Sequence, residues 1–200
     1  MTNRLSYLFW KWSALSSALL ITIILSGCEG GNESGPAVAQ APMQQSVPSP
    51  HPEIMSGSSQ IEMLKAALFD DPENHQLLAA LGDAYFEAQR YQEAISVYEK
   101  AIKIDSNDAD TLNDLGLAYY YTGNSDTALT TLAKATSGVP DYKNAWLSTG
   151  FILTSLGRYD EAVTPLKKAR ELDPNGTIGM EADNFLKRIE QLKAQAVGEG

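Results

Sequence analysis

Gly82, Gly116 and Gly150 stand at equal intervals of 34 residues, and the residues around them recur at the same interval. Leu78, Leu112 and Trp146 form one column, and Tyr85, Tyr119 and Leu153 another. Downstream come Ala94, Ala128 and Ala162, then Tyr98, Leu132 and Leu166, then Ala101, Ala135 and Ala169. A chain with this pattern must build the same unit three times and stack the copies. Within a unit the apolar set falls at i, i+3, i+4 and i+7, as in Leu78, Leu81, Gly82 and Tyr85, which lays one stripe along an α-helix. A helical glycine costs up to about 1 kcal/mol against alanine. Its return in every unit implies that the missing Cβ leaves room for a helix crossing close by.

Each unit holds a second amphipathic stretch. Ala94 and Ala101 frame it in unit one, with Ile95, Tyr98 and Ile102 on the same side. Gly123 and Gly157 fall between the two stretches, where a left-handed residue closes the first helix; unit one has Gln89 there. Pro72, Pro140 and Pro174 mark unit ends, and Ser106, between Asp105 and Asn107, takes the proline's place after unit one. Pro165 inside the third unit should bend its second helix slightly. The units run 75–108, 109–142 and 143–176. Residues 60–70 match only the second half of a unit and predict a single helix ahead of the first. After Asn175 the register fails, yet Ile178, Ala182, Phe185, Ile189 and Leu192 form one stripe opposite Glu181, Lys187, Arg188 and Glu190. That predicts a terminal helix over about 178–196, polar on its outer side.

The period, its large and small columns and its paired alanines resemble the tetratricopeptide repeat. The resemblance covers residues 60–200 and implies an all-α fold: a right-handed α-solenoid of three helix-turn-helix repeats with a half-repeat helix before it and a capping helix after it.

The front of the chain reads differently. Arg4 and Lys11 precede an apolar run from Ala14 to Leu25, a secretory signal over residues 1–27 with an uncleaved anchor as the alternative. Leu25, Ser26, Gly27 and Cys28 resemble the lipobox of bacterial lipoproteins. That resemblance implies cleavage before Cys28, a lipid on its sulfur and attachment to a membrane through that lipid. Glu29 stands where inner-membrane lipoproteins often carry aspartate, so the resemblance implies an outer membrane, facing the periplasm. Cys28 is the only cysteine, so no internal disulfide forms. From there to residue 59 the chain is rich in Gly, Pro, Ser, Gln and Ala, including Pro36, Pro42, Pro48, Pro50 and Pro52, and predicts a disordered tether.

The net charge of −10 makes the chain a poor ligand for nucleic acid or an anionic bilayer. No catalytic constellation is legible. His51 and His75 have no acid or cysteine at metal-ligand spacing and are expected to be solvated. No serine stands in a strand–turn–helix elbow. Asp105, Asp108 and Asp110 lack the glycine and final glutamate of a calcium loop, and helix capping accounts for them. Neither a cofactor nor a metal is called for, and the chain is not expected to be an enzyme.

The repeat resemblance implies a protein or peptide ligand on a concave face lined by the first helix of each unit. Its groove positions correspond to Gln76, Ala79, Asp83, Phe86 and Glu87, then Asp110, Asn113, Leu117, Tyr120 and Tyr121, then Asn144, Leu147, Phe151, Thr154 and Ser155. Leu117, Tyr120, Tyr121, Leu147 and Phe151 would form its floor, and Asn113 and Asn144 would bond a peptide backbone. Of Tyr119, Tyr120 and Tyr121, being consecutive, at least one must turn into the core. Family members that grip the acidic tails of heat-shock chaperones use cations at positions held here by Ala79, Asp83, Asp114, Asn144 and Ser148. A peptide with basic and apolar residues fits better. The expectation is a lipid-anchored scaffold or adaptor in the bacterial cell envelope. The alternatives are a lipoprotein that pairs with itself, as a homodimer, and a cell-wall or lipid-modifying enzyme.

Overall fold

The computed structural model of this chain describes residues 57–198. They form eight α-helices: α1 Gly57–Asp70, α2 His75–Glu87, α3 Tyr91–Ile104, α4 Ala109–Tyr121, α5 Ser125–Gly138, α6 Lys143–Ser155, α7 Tyr159–Leu172 and α8 Thr177–Gly198. No strand occurs among the described residues. The signal reading over 1–27, Cys28 and the tether as far as residue 56 lie outside them. Gly57, Ser58 and Ser59, expected in the tether, instead make the first turn of α1. Small polar residues suit a helix N-terminus, so the helix takes in those just before its apolar run.

The period survives in the backbone. First helices begin at residues 75, 109 and 143, second helices at 91, 125 and 159. Each helix packs on the next, and α4 also packs on α2, α6 on α4 and α8 on α6. The first helices therefore touch in series and line one side of the stack.

Every unit is closed by the same crossing. A Cβ on Gly82 would run into the Tyr98 ring and one on Gly150 into Leu166; on Gly116 it would lie 2.8 Å from Leu132 Cγ. Tyr98, Leu132 and Leu166 are fully buried, as are Ala94, Ala128 and Ala162 beside them. The column residue of the second helix thus fills the space the glycine leaves in the first.

Each first helix ends alike. Gln89 N donates to Phe86 O and Arg90 N to Tyr85 O, both at 2.9 Å, the doubled pattern that closes a helix through a left-handed residue. Gly123 and Gly157 close α4 and α6 the same way, with φ of 84° and 73°. Gln89 adopts φ 60° without being glycine, so unit one makes the same turn under backbone strain. At α4, Asp108 caps the helix: Oδ1 accepts from Asp110 N at 3.1 Å and Thr111 N at 3.3 Å. Helix α7 runs through Pro165 without a break in its assigned span. Ile178, Ala182 and Ile189 of α8 are buried, which seals the last unit.

Gly150→Ala is expected to lower stability by about 1–3 kcal/mol, because overpacking against Leu166 outweighs the helix propensity gained. Adding Leu166→Ala should cost clearly less than the two single losses summed, as urea unfolding followed by circular dichroism would read. Additive losses would mean the two residues do not share one space. Gln89→Gly should raise stability by about 0.5–1 kcal/mol in the same assay by relieving the left-handed residue; a loss would show that the Gln89 side chain matters more than its φ.

Candidate functional site

The inner side of the stack is joined by a run of aromatic contacts that crosses all three units. Phe86 of α2 meets the edges of Tyr91 and Tyr121 at 5.2 and 5.7 Å, and Tyr91 stacks on Tyr121 at 4.9 Å with 14° between the rings. Tyr121 meets Tyr120 at 5.4 Å, Tyr120 meets Phe151 of α6 at 5.4 Å, and Phe151 meets Phe185 of α8 at 6.0 Å. Such pairs add roughly 0.5–1.5 kcal/mol each beyond burial, so this face holds the units to one another.

That double duty decides which expected groove residues remain accessible. Phe86, Asn113, Leu117, Leu147, Phe151 and Thr154 are buried, Leu147 completely. Asp83, Ala79, Tyr120 and Asn144 are half-buried; Gln76, Glu87, Asp110, Tyr121 and Ser155 are exposed. The expected floor therefore splits. Leu117, Leu147 and Phe151 serve the core between first helices, while Tyr120 and Tyr121 keep surface, Tyr121 39% of it. Tyr119 shares its column with a buried Tyr85 but stays half-buried, because its hydroxyl reaches out to donate to Glu99 Oε1 at 2.5 Å. None of the three consecutive tyrosines is fully buried.

Most polar atoms of the face are tied to neighbours. Tyr98 OH donates to Asp83 Oδ1 at 2.8 Å and Asn113 Nδ2 to Asp114 Oδ1 at 3.1 Å. Asn144 Nδ2 donates to Tyr142 OH at 3.3 Å, and Tyr142 OH donates in turn to Asp110 Oδ1. Burial, then that bond to a carboxylate, pushes the Tyr142 phenol far up. Burial beside Tyr91 and Tyr120 likewise pushes Tyr121 up to about 12, so these phenols stay neutral at ordinary pH. Asn113 Oδ1 and Ser148 Oγ are buried without a hydrogen-bond partner. Lys143 Nζ lies 2.8 Å from Asp173 Oδ1 and holds that carboxyl below the usual carboxylate range. The Asp173 carboxylate also accepts from Ile178 N at 3.0 Å, capping α8.

Three members of this arrangement were not legible as site residues. Phe185 carries the run onto α8, Tyr142 ties Asp110 and Asn144 together, and Tyr91 enters from a second helix. Tyr91 did leave a trace in the sequence, since Tyr159 opens α7 at the same place in unit three. His75, expected to be solvated, has Nε2 3.9 Å from Asp105 Oδ2. No cluster of three His, Cys, Asp or Glu able to hold a metal occurs among the described residues, and no described helix is long and apolar enough to cross a membrane. An open cleft of about 340 Å³ lined by Trp146, Thr164, Lys167, Lys168 and Glu171 shares no residue with the aromatic run.

Comparison with known proteins agrees with this geometry. A model described as TPR repeat matches residues 82–123, and one described as tetratricopeptide repeat matches 113–177. The small glutamine-rich tetratricopeptide repeat-containing protein 2 of Mycosarcoma maydis is 30% identical over 109 residues, covering 54% of this chain and 31% of its own. The photosystem I assembly protein Ycf3 of Prochlorococcus marinus strain MIT 9211 is 30% identical over 120 residues, covering 52% of this chain and 68% of its own. The chain thus spans under a third of the first relative's length and about two thirds of the second's. Among solved structures, the first repeat domain of Spaghetti (RPAP3), bound to the HSP90 peptide SRMEEVD, is 27% identical with a TM-score of 0.56, covering 62% of this chain and 96% of its own.

These relatives correct the expected address. A lipid-anchored position at the outer membrane, facing the periplasm, rested on residues 1–29, which lie outside both the described residues and the matched stretches. The Ycf3, glutamine-rich and RPAP3 proteins are not outer-membrane lipoproteins. The repeats that carry the relationship hold no address of their own.

Proposed function

The chain belongs to the tetratricopeptide repeat family, and on that premise we propose that it holds a short segment of a partner protein against α2, α4 and α6. As a module it is a protein–protein interaction scaffold. The observation that carries the binding face is the aromatic run with Tyr120 and Tyr121 still open to a ligand. Aromatic side chains fixed by their neighbours lose little entropy on binding and serve well as anchors. A solved relative holds a peptide, and Ycf3 is named for assembling a complex. What carries over is the grasp of a partner segment, with neither HSP90 nor photosystem I attached to it. The face offers hydrogen-bonded acids, amides and phenols beside aromatic rings, a set that suits holding a peptide.

A photo-crosslinking residue at Tyr121, in the cells that make the protein, should capture a defined partner, and the same residue at Thr164 on α7 should not. Tyr120→Ala should reduce the capture at least tenfold with the helical circular dichroism retained. Equal capture from both positions would remove the inner face as the binding surface.

A separate proposal concerns Cys28 alone: in Leu25-Ser26-Gly27-Cys28 its sulfur carries a lipid. The sequence context supports it, and intact-mass spectrometry of the cellular protein tests it. The wild type should exceed its polypeptide mass by an acyl-bearing group that Cys28→Ser lacks; a bare polypeptide mass ends the idea.

A further inference from the structure

We infer that the segment held on the inner face is cationic, an arginine- or lysine-bearing peptide whose apolar residues lie along the aromatic run. This rests on the inner face being the binding surface and adds the chemistry of what it takes.

The cations are sorted between the two sets of helices, while acids lie on both. Neither α2 nor α4 contains a lysine or arginine, and α6 contains only Lys143. Together they carry Asp83, Glu87, Asp110 and Asp114. The second helices mix both signs, with Lys100 and Lys103 on α3, Lys134 on α5, and Lys167, Lys168 and Arg170 on α7 beside Glu93, Glu99, Asp126, Asp160, Glu161 and Glu171, so the uncompensated acid lies on the first helices. Lys143 is engaged by Asp173. On α8, Arg188 lies three residues beyond Phe185. Charges serving solubility alone would mix both signs over both sides. A segregated acidic face raises the local concentration of a cationic ligand and repels an anionic one.

The hydrogen-bonding groups select in the same direction. The carboxylates of Asp83, Glu87, Asp110 and Asp114 can only accept. The Asn113 side chain, 3% exposed, has given a donor to Asp114, and its Oδ1 is buried with no partner. Asn113 stands on α4 one turn before Leu117 and two before Tyr120. The charged groups that α2 and α4 bring to this face are thus acceptors alone. A guanidinium has five N–H donors and no acceptor, and an ammonium has three and none. Tyr121 and Tyr120 add exposed aromatic surface beside Glu87, which stands at the Tyr121 position of unit one. Arginine gains from aromatic contact and carboxylate pairing at once.

The contrast with SRMEEVD is direct. That peptide presents three acidic side chains and a terminal carboxylate, while the positions here corresponding to a carboxylate clamp, Ala79, Asp83, Asp114, Asn144 and Ser148, offer no cation.

Fluorescence anisotropy on the full-length chain decides the matter with three labelled probes: a capped heptapeptide of alternating arginine and leucine, the same peptide with glutamate for arginine, and SRMEEVD. The arginine peptide should bind at least tenfold more tightly than either acidic probe, and more weakly as salt rises. Asp83→Asn with Glu87→Gln should weaken it at least fivefold; asparagine can still accept the Tyr98 hydroxyl, and circular dichroism checks the fold. Asp126→Asn with Glu171→Gln, the same charge change on α5 and α7, should shift it less than twofold. If an acidic probe binds as well or better, the charge inference is overturned and the inner face stands. If both double variants weaken binding alike, it is overturned as general attraction to an acidic chain. If none of the probes binds, it falls, and absence of the Tyr121 crosslink would bring down the inner-face reading as well.

Discussion

The close approach of two helices at each unit's glycine is the constraint on which the rest depends. Gly82, Gly116 and Gly150 let Tyr98, Leu132 and Leu166 sit where a Cβ would otherwise be. A helix pair drawn this close turns its remaining apolar residues toward the neighbouring units, because little is left to bury inside the pair. The alanines at 94, 128 and 162, all fully buried, belong to the same demand for small residues at the crossing. Shared spacing then lets one unit stack on the next in the same way, and the inner helices come into series.

That series makes the candidate binding face part of the core. The aromatic run from Tyr91 and Phe86 through Tyr121 and Tyr120 to Phe151 and Phe185 bonds units together and offers surface from the same rings. A residue can serve both ends only if one side of its ring is packed and another open, as with Tyr121. Others were drawn wholly into packing: Leu117, Leu147 and Phe151 are covered. A face built this way is rigid before a ligand arrives, which limits the ordering cost of binding.

Charge completes the division of labour. The first helices hold acids and aromatic rings with Lys143 as their one cation, while the second helices balance acids against cations. The −10 net charge of the chain leaves this arrangement hidden, since a sum carries no direction. The signal and Cys28 readings rest on different residues and stand apart from it. The outer-membrane address rested on residues 1–29, and relatives that are not outer-membrane lipoproteins overturned it.

Helix count, register, the glycine crossing and the left-handed turns at 123 and 157 were legible in the residues alone, because each depends on local spacing that a period of 34 repeats three times over. Gln89 shows the limit of local preference: its unit makes the turn anyway, since the packed pair on either side dictates the backbone. Which groove residues stay open was settled only in three dimensions. Phe151 and Tyr121 look equivalent as aromatic residues on first helices, yet Phe151 lies between Tyr120 and Phe185, while Tyr121 keeps 39% of its surface. Periodicity assigns a residue to a face of its own helix; burial depends on what the neighbouring helices bring to that face, and only tertiary packing decides it.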